Sequence, residues 1–156
     1  MLERRPVTRE TLWPLIELEV RPDQRDLVSA NLKTFAEAPY EPGAYIWGLW
    51  DGDAPVGLMA MIDPDGVRAN GPLVAPGAAY LWRLMIASQH QGKRYGAQAI
   101  DFAIQSARDW GAPSLVVGVS TASHSNRGFY ERLGFLDSGV IEDDDRLFVL
   151  DLSITE

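Results

Sequence analysis

Hydrophobic and polar positions follow a helical pattern in the N-terminal part of the chain and a strand pattern after Gly43. Residues 4–7 predict a short strand. Thr8 suits the N-cap of a helix that runs to about residue 20, with its apolar positions on one face. Apolar side chains continue at helical spacing over residues 27–38, which predicts a second helix. The chain is therefore predicted to begin with one strand and two helices.

The middle of the chain carries strand signals around a loop. Residues 44–50 and 55–62 are predicted strands joined at Asp51-Gly52, a dipeptide typical of β-hairpin turns. Residues 63–79 are rich in glycine and proline, which predicts an extended loop or the long tip of a hairpin. The apolar run over residues 80–87 predicts a central strand buried on both faces.

The last part of the chain alternates helices and strands. The predicted elements are a helix over 92–110, a strand over 114–120, a short helix over 126–133 and a hairpin of strands 135–141 and 146–152. The order of elements indicates an α/β fold with a mixed sheet. Since the 156 residues contain no repeat or long linker, one domain spanning residues 1–156 is expected.

Composition and charge exclude several classes of function. The formal net charge of −8 argues against nonspecific nucleic-acid binding and favours cationic small partners. The chain has no cysteine, which excludes disulfides, thiolate metal sites and a cysteine nucleophile, and its two histidines are too few for a histidine-rich metal site. Charges interrupt the apolar stretches at the N-terminus, so neither a signal peptide nor a membrane span is expected, and the predicted location is the cytoplasm.

The segment over residues 84–97 carries the clearest chemical signal. A buried strand leads through a short polar loop into a helix whose first turn offers unpaired backbone N–H groups and a partial positive charge to phosphate oxygens. Gly92 and Gly96 allow close approach of an anion, and Lys93 and Arg94 add positive charge. The segment matches neither a P-loop nor a dinucleotide-binding fingerprint. The alternative is a surface helix that happens to start with glycine.

Two motifs resemble those of the GNAT superfamily of acetyl-CoA-dependent N-acetyltransferases. The run Gln91-Gly92-Lys93-Arg94-Tyr95-Gly96 is similar to the superfamily's Gln/Arg-x-x-Gly-x-Gly/Ala motif, except that Arg94 stands where the motif has glycine. The run NRGFYERLGF over residues 126–135 is similar to its downstream segment. The resemblance implies a GNAT-like, mostly antiparallel mixed sheet flanked by helices, and acetyl-CoA as co-substrate.

The resemblance also implies roles for individual residues. Backbone groups of Leu84, Met85 and Ile86 would pair with the pantetheine arm, and an N–H of Met85 or Ile86 would polarise the thioester carbonyl. Asn126 would contact the pantetheine or the cofactor near it, and Tyr130 would protonate the coenzyme A thiolate. The pyrophosphate would be held by amides of Gln91, Gly92, Lys93, Arg94, Tyr95, Gly96 and Ala97. In the alternative interpretation, Tyr130 merely packs a short helix and Asn126 caps it.

The acceptor side resembles the branch that contains bacterial spermine/spermidine acetyltransferases, chiefly through the run YLWRLMI over residues 80–86. This implies a primary amine acceptor, with a polyamine or diamine as one choice. Carboxylates of Glu17, Glu19, Glu37 or Glu41 would hold ammonium groups, Trp82 or Trp47 would add a cation–π face, and Glu37 or Glu19 would serve as base. These glutamates equally suit solvated helix faces, so that interpretation stays open.

Other functions on the same fold are also open at this point. The acceptor could be an amino acid, an aminoglycoside or a peptide N-terminus, or the domain could bind acyl-CoA without catalysis. His90 falls in the cofactor loop, and His124 is interpreted as a loop or capping residue. The exposed final hairpin and the resemblance predict a homodimer.

Overall fold

A seven-stranded sheet forms the centre of the computed structural model, which describes residues 1–72 and 74–153. The strand order is β1-β2-β3-β4-β5-β7-β6, and every neighbouring pair is antiparallel except β4 and β5. The strands are β1 (Leu2–Pro6), β2 (Ala44–Asp51), β3 (Ala54–Ile62), β4 (Ala79–Ile86), β5 (Ser114–Ser120), β6 (Leu136–Glu142) and β7 (Asp145–Asp151). The sheet is thus mixed and mostly antiparallel, as predicted.

Helices cover both faces of this sheet. They are α1 (Leu12–Ile16), α2 (Asn31–Glu37), α3 (Pro64–Asn70), α4 (Tyr95–Asp109) and α5 (Arg127–Arg132). The main apolar core lies between the sheet and the face formed by α4 and α5, with Ile100, Ala103 and Tyr130 buried in it. A smaller core around Leu15, Leu58 and Met85 lies on the opposite face, beneath α1 and α2.

The first helix is much shorter than predicted, and Thr8 is not its N-cap. The helix begins after Thr11 and ends at Ile16, while Thr8 accepts the turn hydrogen bonds that precede it. The following backbone leaves the helix because it bonds elsewhere: the Glu19 carbonyl accepts a hydrogen bond from the Ser88 N–H at 2.8 Å. Tertiary pairing with the loop after β4 therefore overrides the helical periodicity.

The second helix also begins later than predicted, at Asn31 rather than at residue 27. The buried Asn31 side chain donates to the Leu15 carbonyl at 2.8 Å, which ties the start of α2 to the end of α1. Residues 27–29 stay outside the helix and line the cleft described below.

The loop predicted over residues 63–79 contains helix α3, so that prediction was wrong for its first half. Asp63 is the N-cap, its side chain accepts from the Gly66 N–H at 2.9 Å, and Pro64 occupies the first helical position. An acidic N-cap followed by proline is a known helix-start signal, which the glycine and proline content of the stretch obscured. The other predicted elements are present with small differences in their bounds.

The pairing of β4 with its two neighbouring strands is irregular on both sides. Its pairing with β3 joins Leu81 to Met61 and Arg83 to Ala60, so Trp82 is an extra residue that forms a β-bulge. Its parallel pairing with β5 covers three residue pairs and stops at Leu81 and Val117. Beyond that point the two strands separate, and a cleft opens between their carboxyl ends.

Candidate active site

The split between β4 and β5 holds a cleft of about 600 Å³. Most of the residues predicted to bind the cofactor line it: Leu84, Met85, Ile86, Gln91, Gly92, Arg94, Tyr95, Gly96, Ala97, Asn126 and Tyr130. Lys93 does not line it and is exposed on the neighbouring turn. The structure thus brings together the strand, the loop and the two helices that the motifs identified.

The backbone of β4 forms one wall. β3 occupies one edge of β4 as far as Ile86, while the edge toward β5 has no strand partner beyond Leu81 among the described residues. Gly57 on β3 sets the position of this wall, because a Cβ built on it would lie 2.3 Å from the Met85 carbonyl oxygen. An extended substrate arm fits beside such a free edge as an additional strand would.

The turn before α4 shows why the motif that residues 91–96 resemble has glycine where this chain has Arg94. Arg94 is the N-cap residue of α4, and its φ of 66° and ψ of 16° lie in the left-handed region. This region costs an L-residue about 1–2 kcal/mol, whereas glycine enters it freely. The Arg94 side chain is exposed, so the positive charge is kept at the mouth of the cleft at the expense of backbone strain.

The glycines of this turn have different local roles. Gly92 has φ of 81°, and a Cβ built on it would meet no atom of the described residues within 4 Å, so its backbone faces open space. A Cβ on Gly96 would lie 3.2 Å from the Phe129 ring, so this glycine lets α5 pack against the first turn of α4. The Tyr95 hydroxyl donates to Asp51, which anchors the turn to β2 and raises the pKa of Tyr95.

The Gln91 side chain holds the loop before this turn in place. It donates to the Ile86 carbonyl and to Gln24, and it accepts from Arg21. Arg21 and Gln24 are thereby tied to the end of β4, and Gln24 lines the cleft.

Tyr130 and Asn126 reach the cleft from α5. Tyr130 is 4% exposed and packs edge-on against Phe129 and Phe135, and burial raises its pKa well above the usual value, with a smaller contribution from Tyr80. Asn126 is the N-cap residue of α5, yet its side chain makes no capping hydrogen bond. Asn126 thus does not cap α5 through its side chain, whereas Tyr130 packs against its neighbours, as the alternative interpretation holds, and also lines the cleft.

The acceptor residues predicted from the sequence are only partly at the cleft. Trp82 lines it, with the Arg83 guanidinium 4.5 Å from its ring centroid. Glu37 does not line it, and its carboxylate lies 2.9 Å from an Arg83 nitrogen, so this predicted base neutralises a neighbouring cation. Thr34 accepts from the same guanidinium at 2.9 Å.

Glu17 and Glu19 do not line the cleft either. Both are exposed, and Glu19 lies 4.0 Å from Arg25. Of the two histidines, His90 lines the cleft and His124 lies 3.0 Å from Asp26, in agreement with its interpretation as a loop residue.

The groups on the α1/α2 face of the split were not predicted from the sequence. Tyr80, Arg83 and Asp145 line the cleft there, beside Val28 and Ser29. Burial, followed by the charge of Asp145, raises the pKa of Tyr80 to about 12. Gly118 was a sequence signal for this part of the cleft, because a glycine within a strand otherwise rich in valine leaves space for a neighbouring group.

Neither a metal site nor a membrane-spanning helix is found in the described ranges, 1–72 and 74–153. No group of three or more His, Asp or Glu side chains there is arranged to hold a metal ion. No helix in those ranges is long and apolar enough to cross a membrane.

Comparisons with known proteins agree with this geometry. The family model described as Acetyltransferase (GNAT) family matches residues 9–135, whereas a search of curated protein sequences returned no significant match. PaiA N-acetyltransferase from Thermoplasma acidophilum in complex with coenzyme A has a similar fold, with a TM-score of 0.69, 15% identity and coverage of 97% of this chain and 99% of that one.

Two further solved structures share the fold. An acetyltransferase from Thermus thermophilus has a TM-score of 0.71 at 19% identity, and 97% of each chain is covered. A spermidine N-acetyltransferase SpeG chimera from Vibrio cholerae and hSSAT has a TM-score of 0.71 at 17% identity, with 97% of this chain and 96% of that one covered. Because the family model spans most of the chain on this fold, the protein belongs to the GNAT acetyltransferase family and is an acyltransferase.

Proposed function

We propose that this protein transfers the acetyl group of acetyl-CoA to a primary amine by direct attack on the thioester. The observation that carries the proposal is the split between β4 and β5, which places a free strand edge, a helix N-terminus and a buried phenol around one cleft. These are the parts needed to hold an extended thioester with a charged phosphate end.

Each part has a defined role in the proposal. Backbone groups of Leu84, Met85 and Ile86 bind the pantetheine arm, and an N–H of Met85 or Ile86 stabilises the oxyanion. A preorganised donor of this kind is worth roughly 3–4 kcal/mol. The amides over residues 91–97 hold the pyrophosphate with Lys93 and Arg94, and Asn126 holds the pantetheine.

Tyr130 donates a proton to the leaving sulfur. A phenol with a raised pKa stays protonated at neutral pH, so it is available as a donor. The same burial also raises the pKa of the coenzyme A thiol that leaves beside it. The pKa difference between the phenol that donates the proton and the sulfur that accepts it is therefore smaller. As the C–N bond forms and the C–S bond breaks, the sulfur receives the bonding electrons and the proton.

A polyamine or diamine is the acceptor favoured by the charges near the cleft. Arg83 is neutralised by Glu37, while Asp145 lines the cleft close to Asp143 and Asp144 in the adjoining turn. The acceptor side is therefore negative and suits a ligand with several ammonium groups. We place the reaction in the cytoplasm, where both substrates would be available.

The experiment is release of coenzyme A thiol from acetyl-CoA with separate acceptors: spermidine, spermine, short diamines, amino acids and an aminoglycoside. Saturable release with polyamines supports both the reaction and the acceptor. Release with another amine alone would support acetyl transfer and contradict the polyamine as acceptor. If acetyl-CoA binds but no amine in the panel yields thiol, the acetyl-transfer proposal is wrong for these acceptors, and a non-catalytic acyl-CoA-binding role takes its place.

A further inference from the structure

Asp145 contributes to the negative charge of the acceptor side, but none of the catalytic steps above uses its carboxylate. Asp145 begins β7, and its side chain leans across β5, since a Cβ built on Gly118 would lie 3.0 Å from Asp145 Oδ2 and 3.4 Å from its Cβ. Gly118 does not have a positive φ, so its backbone does not require glycine. The absent side chain at position 118 instead makes room for the Asp145 carboxylate at the split.

This carboxylate has no partner in the part of the chain that the structure describes. Neither a hydrogen bond nor an ion pair joins it to residues 1–72 or 74–153, although it is half-buried. Burial raises the pKa of Asp145, the charges of Asp144 and Asp143 raise it further, and Arg83 lowers it. Partial burial of a carboxylate without a partner is energetically costly, and a cation that binds beside it lowers this cost. Asp145 therefore suits a site that binds a cation from solution.

Asp145 and Tyr130 line the cleft from opposite faces of the sheet. Tyr130 belongs to the core beneath α4, whereas Asp145 shares the face of β7 with Leu147, which packs on the other side. Tyr130 and the turn before α4 are on the α4 face, so a thioester bound there presents its other side toward the α1/α2 face. An amine that enters from that face would pass the part of the cleft wall that Asp145 lines.

We propose that Asp145 binds the ammonium group of the acceptor at the β5 wall of the cleft and accepts its proton. The inference rests on the proposed acetyl transfer. The ammonium loses one proton to Asp145, which passes it to solvent, and the neutral nitrogen attacks the thioester carbon. The nitrogen loses a second proton as the amide forms, the sulfur gains one, and the net release is one proton for each amide made.

The test is the Asp145→Asn variant, which keeps the size of the side chain and removes the charge and the basic oxygen. We expect kcat/KM for spermidine to fall about 10²- to 10⁴-fold, the range typical for loss of a general base. The affinity for acetyl-CoA, measured by calorimetry, should stay within about twofold of the parent. Asp101→Asn is the matched control, because it removes the same charge from an exposed position of α4 that does not line the cleft.

The pH profile and the melting temperature separate a base from a structural residue. Tyr80 and Arg83 on β4 face Asp145 together with Asp143 and Asp144, while Glu142 and Glu41 act on Tyr80. Since the pKa of Asp145 is raised by folding, its ionised form costs stability above that pKa, and the cost vanishes below the ordinary carboxyl pKa. Asp145→Asn should therefore raise the melting temperature at neutral pH. In the pH profile of kcat/KM, the variant should lack the fall in activity that protonation of Asp145 causes at acidic pH.

The outcomes separate this inference from the proposed function. If the parent acetylates spermidine and Asp145→Asn does so within about threefold of it, the role of Asp145 is wrong while acetyl transfer stands. A variant that melts lower and loses acetyl-CoA affinity shows a structural role and also overturns the inference. If the parent acetylates no amine, the reaction fails, yet calorimetric binding of spermidine that the Asp145→Asn variant loses would still support the ammonium site.

Discussion

Tyr130 combines two properties at the scale of a single residue: its ring packs edge-on against Phe129 and Phe135, and the residue lines the cleft. Because the ring packing does not depend on the oxygen, Tyr130→Phe should fold and bind acetyl-CoA as the parent does. We expect kcat to fall by about 10²-fold or more if the phenol protonates the leaving sulfur. Steady-state kinetics with calorimetric acetyl-CoA affinity measure this, and unchanged kcat would remove Tyr130 from the acid role.

Arg94 gives a second prediction at this scale, because its backbone is in the left-handed region. Arg94→Gly removes a strain of about 1–2 kcal/mol, partly offset by about 0.5–1 kcal/mol of extra glycine entropy in the unfolded chain. The variant should melt at or slightly above the parent temperature in calorimetry. Lys93→Gly is the control, since it loses the same charge at a residue without positive φ and should melt lower. The reverse order of melting temperatures would contradict the strain argument.

At the scale of secondary-structure elements, the contact between β3 and β4 positions the reactive wall of the cleft. A Cβ at position 57 would lie 2.3 Å from the Met85 carbonyl oxygen and 3.0 Å from the Ile86 side chain. Gly57→Ala must therefore displace β4 where the thioester carbonyl is expected. We predict a loss of about 1–3 kcal/mol in the free energy of unfolding, together with lower kcat.

Denaturant unfolding and steady-state kinetics measure both effects of Gly57→Ala. Gly128→Ala is its control, because that Cβ would meet the end of the flexible Arg132 side chain at 3.2 Å and glycine is a poor helix former. A Gly57→Ala variant as stable and active as the Gly128→Ala variant would show that β4 tolerates the displacement.

At the scale of the whole molecule, β6 is the edge strand of the sheet and every one of its residues is exposed. Leu136, Val140 and Ile141 on this strand are 74%, 42% and 54% exposed. Apolar side chains on an edge strand are a common contact between copies of one chain. We therefore expect the predicted homodimer to form through β6, with a solution mass twice that of the chain.

Light scattering after size exclusion, at low and high protein concentration, tests this expectation. Ile141→Lys should shift the mass toward that of a single chain, because burying the introduced ammonium in an interface is costly. Trp13→Lys replaces an apolar residue that is 63% exposed elsewhere on the surface and should leave the mass unchanged. A parent that stays monomeric at high concentration would contradict the prediction.

The sequence by itself determined the order of the strands along the chain, the long helix α4 and the turn that precedes it. These follow from local physics: alternation and turn dipeptides select strands and hairpins, and glycine at a helix start marks an anion-binding turn. The residues over 91–97 could be chosen for the same reason, whereas Asn126 and Tyr130 were chosen through the resemblance of residues 126–135 to the GNAT segment.

The tertiary structure decided what local pattern does not contain. The pairing of the Glu19 carbonyl with Ser88 shortened α1, and Glu37 forms an ion pair with Arg83 and does not line the cleft. Asp145 reached the cleft because β7 pairs beside β5 and Gly118 leaves room, a proximity between residues 27 positions apart in sequence. Contacts across the sheet depend on strand order and on the split at Leu81 and Val117, so they arise only when the whole chain has folded.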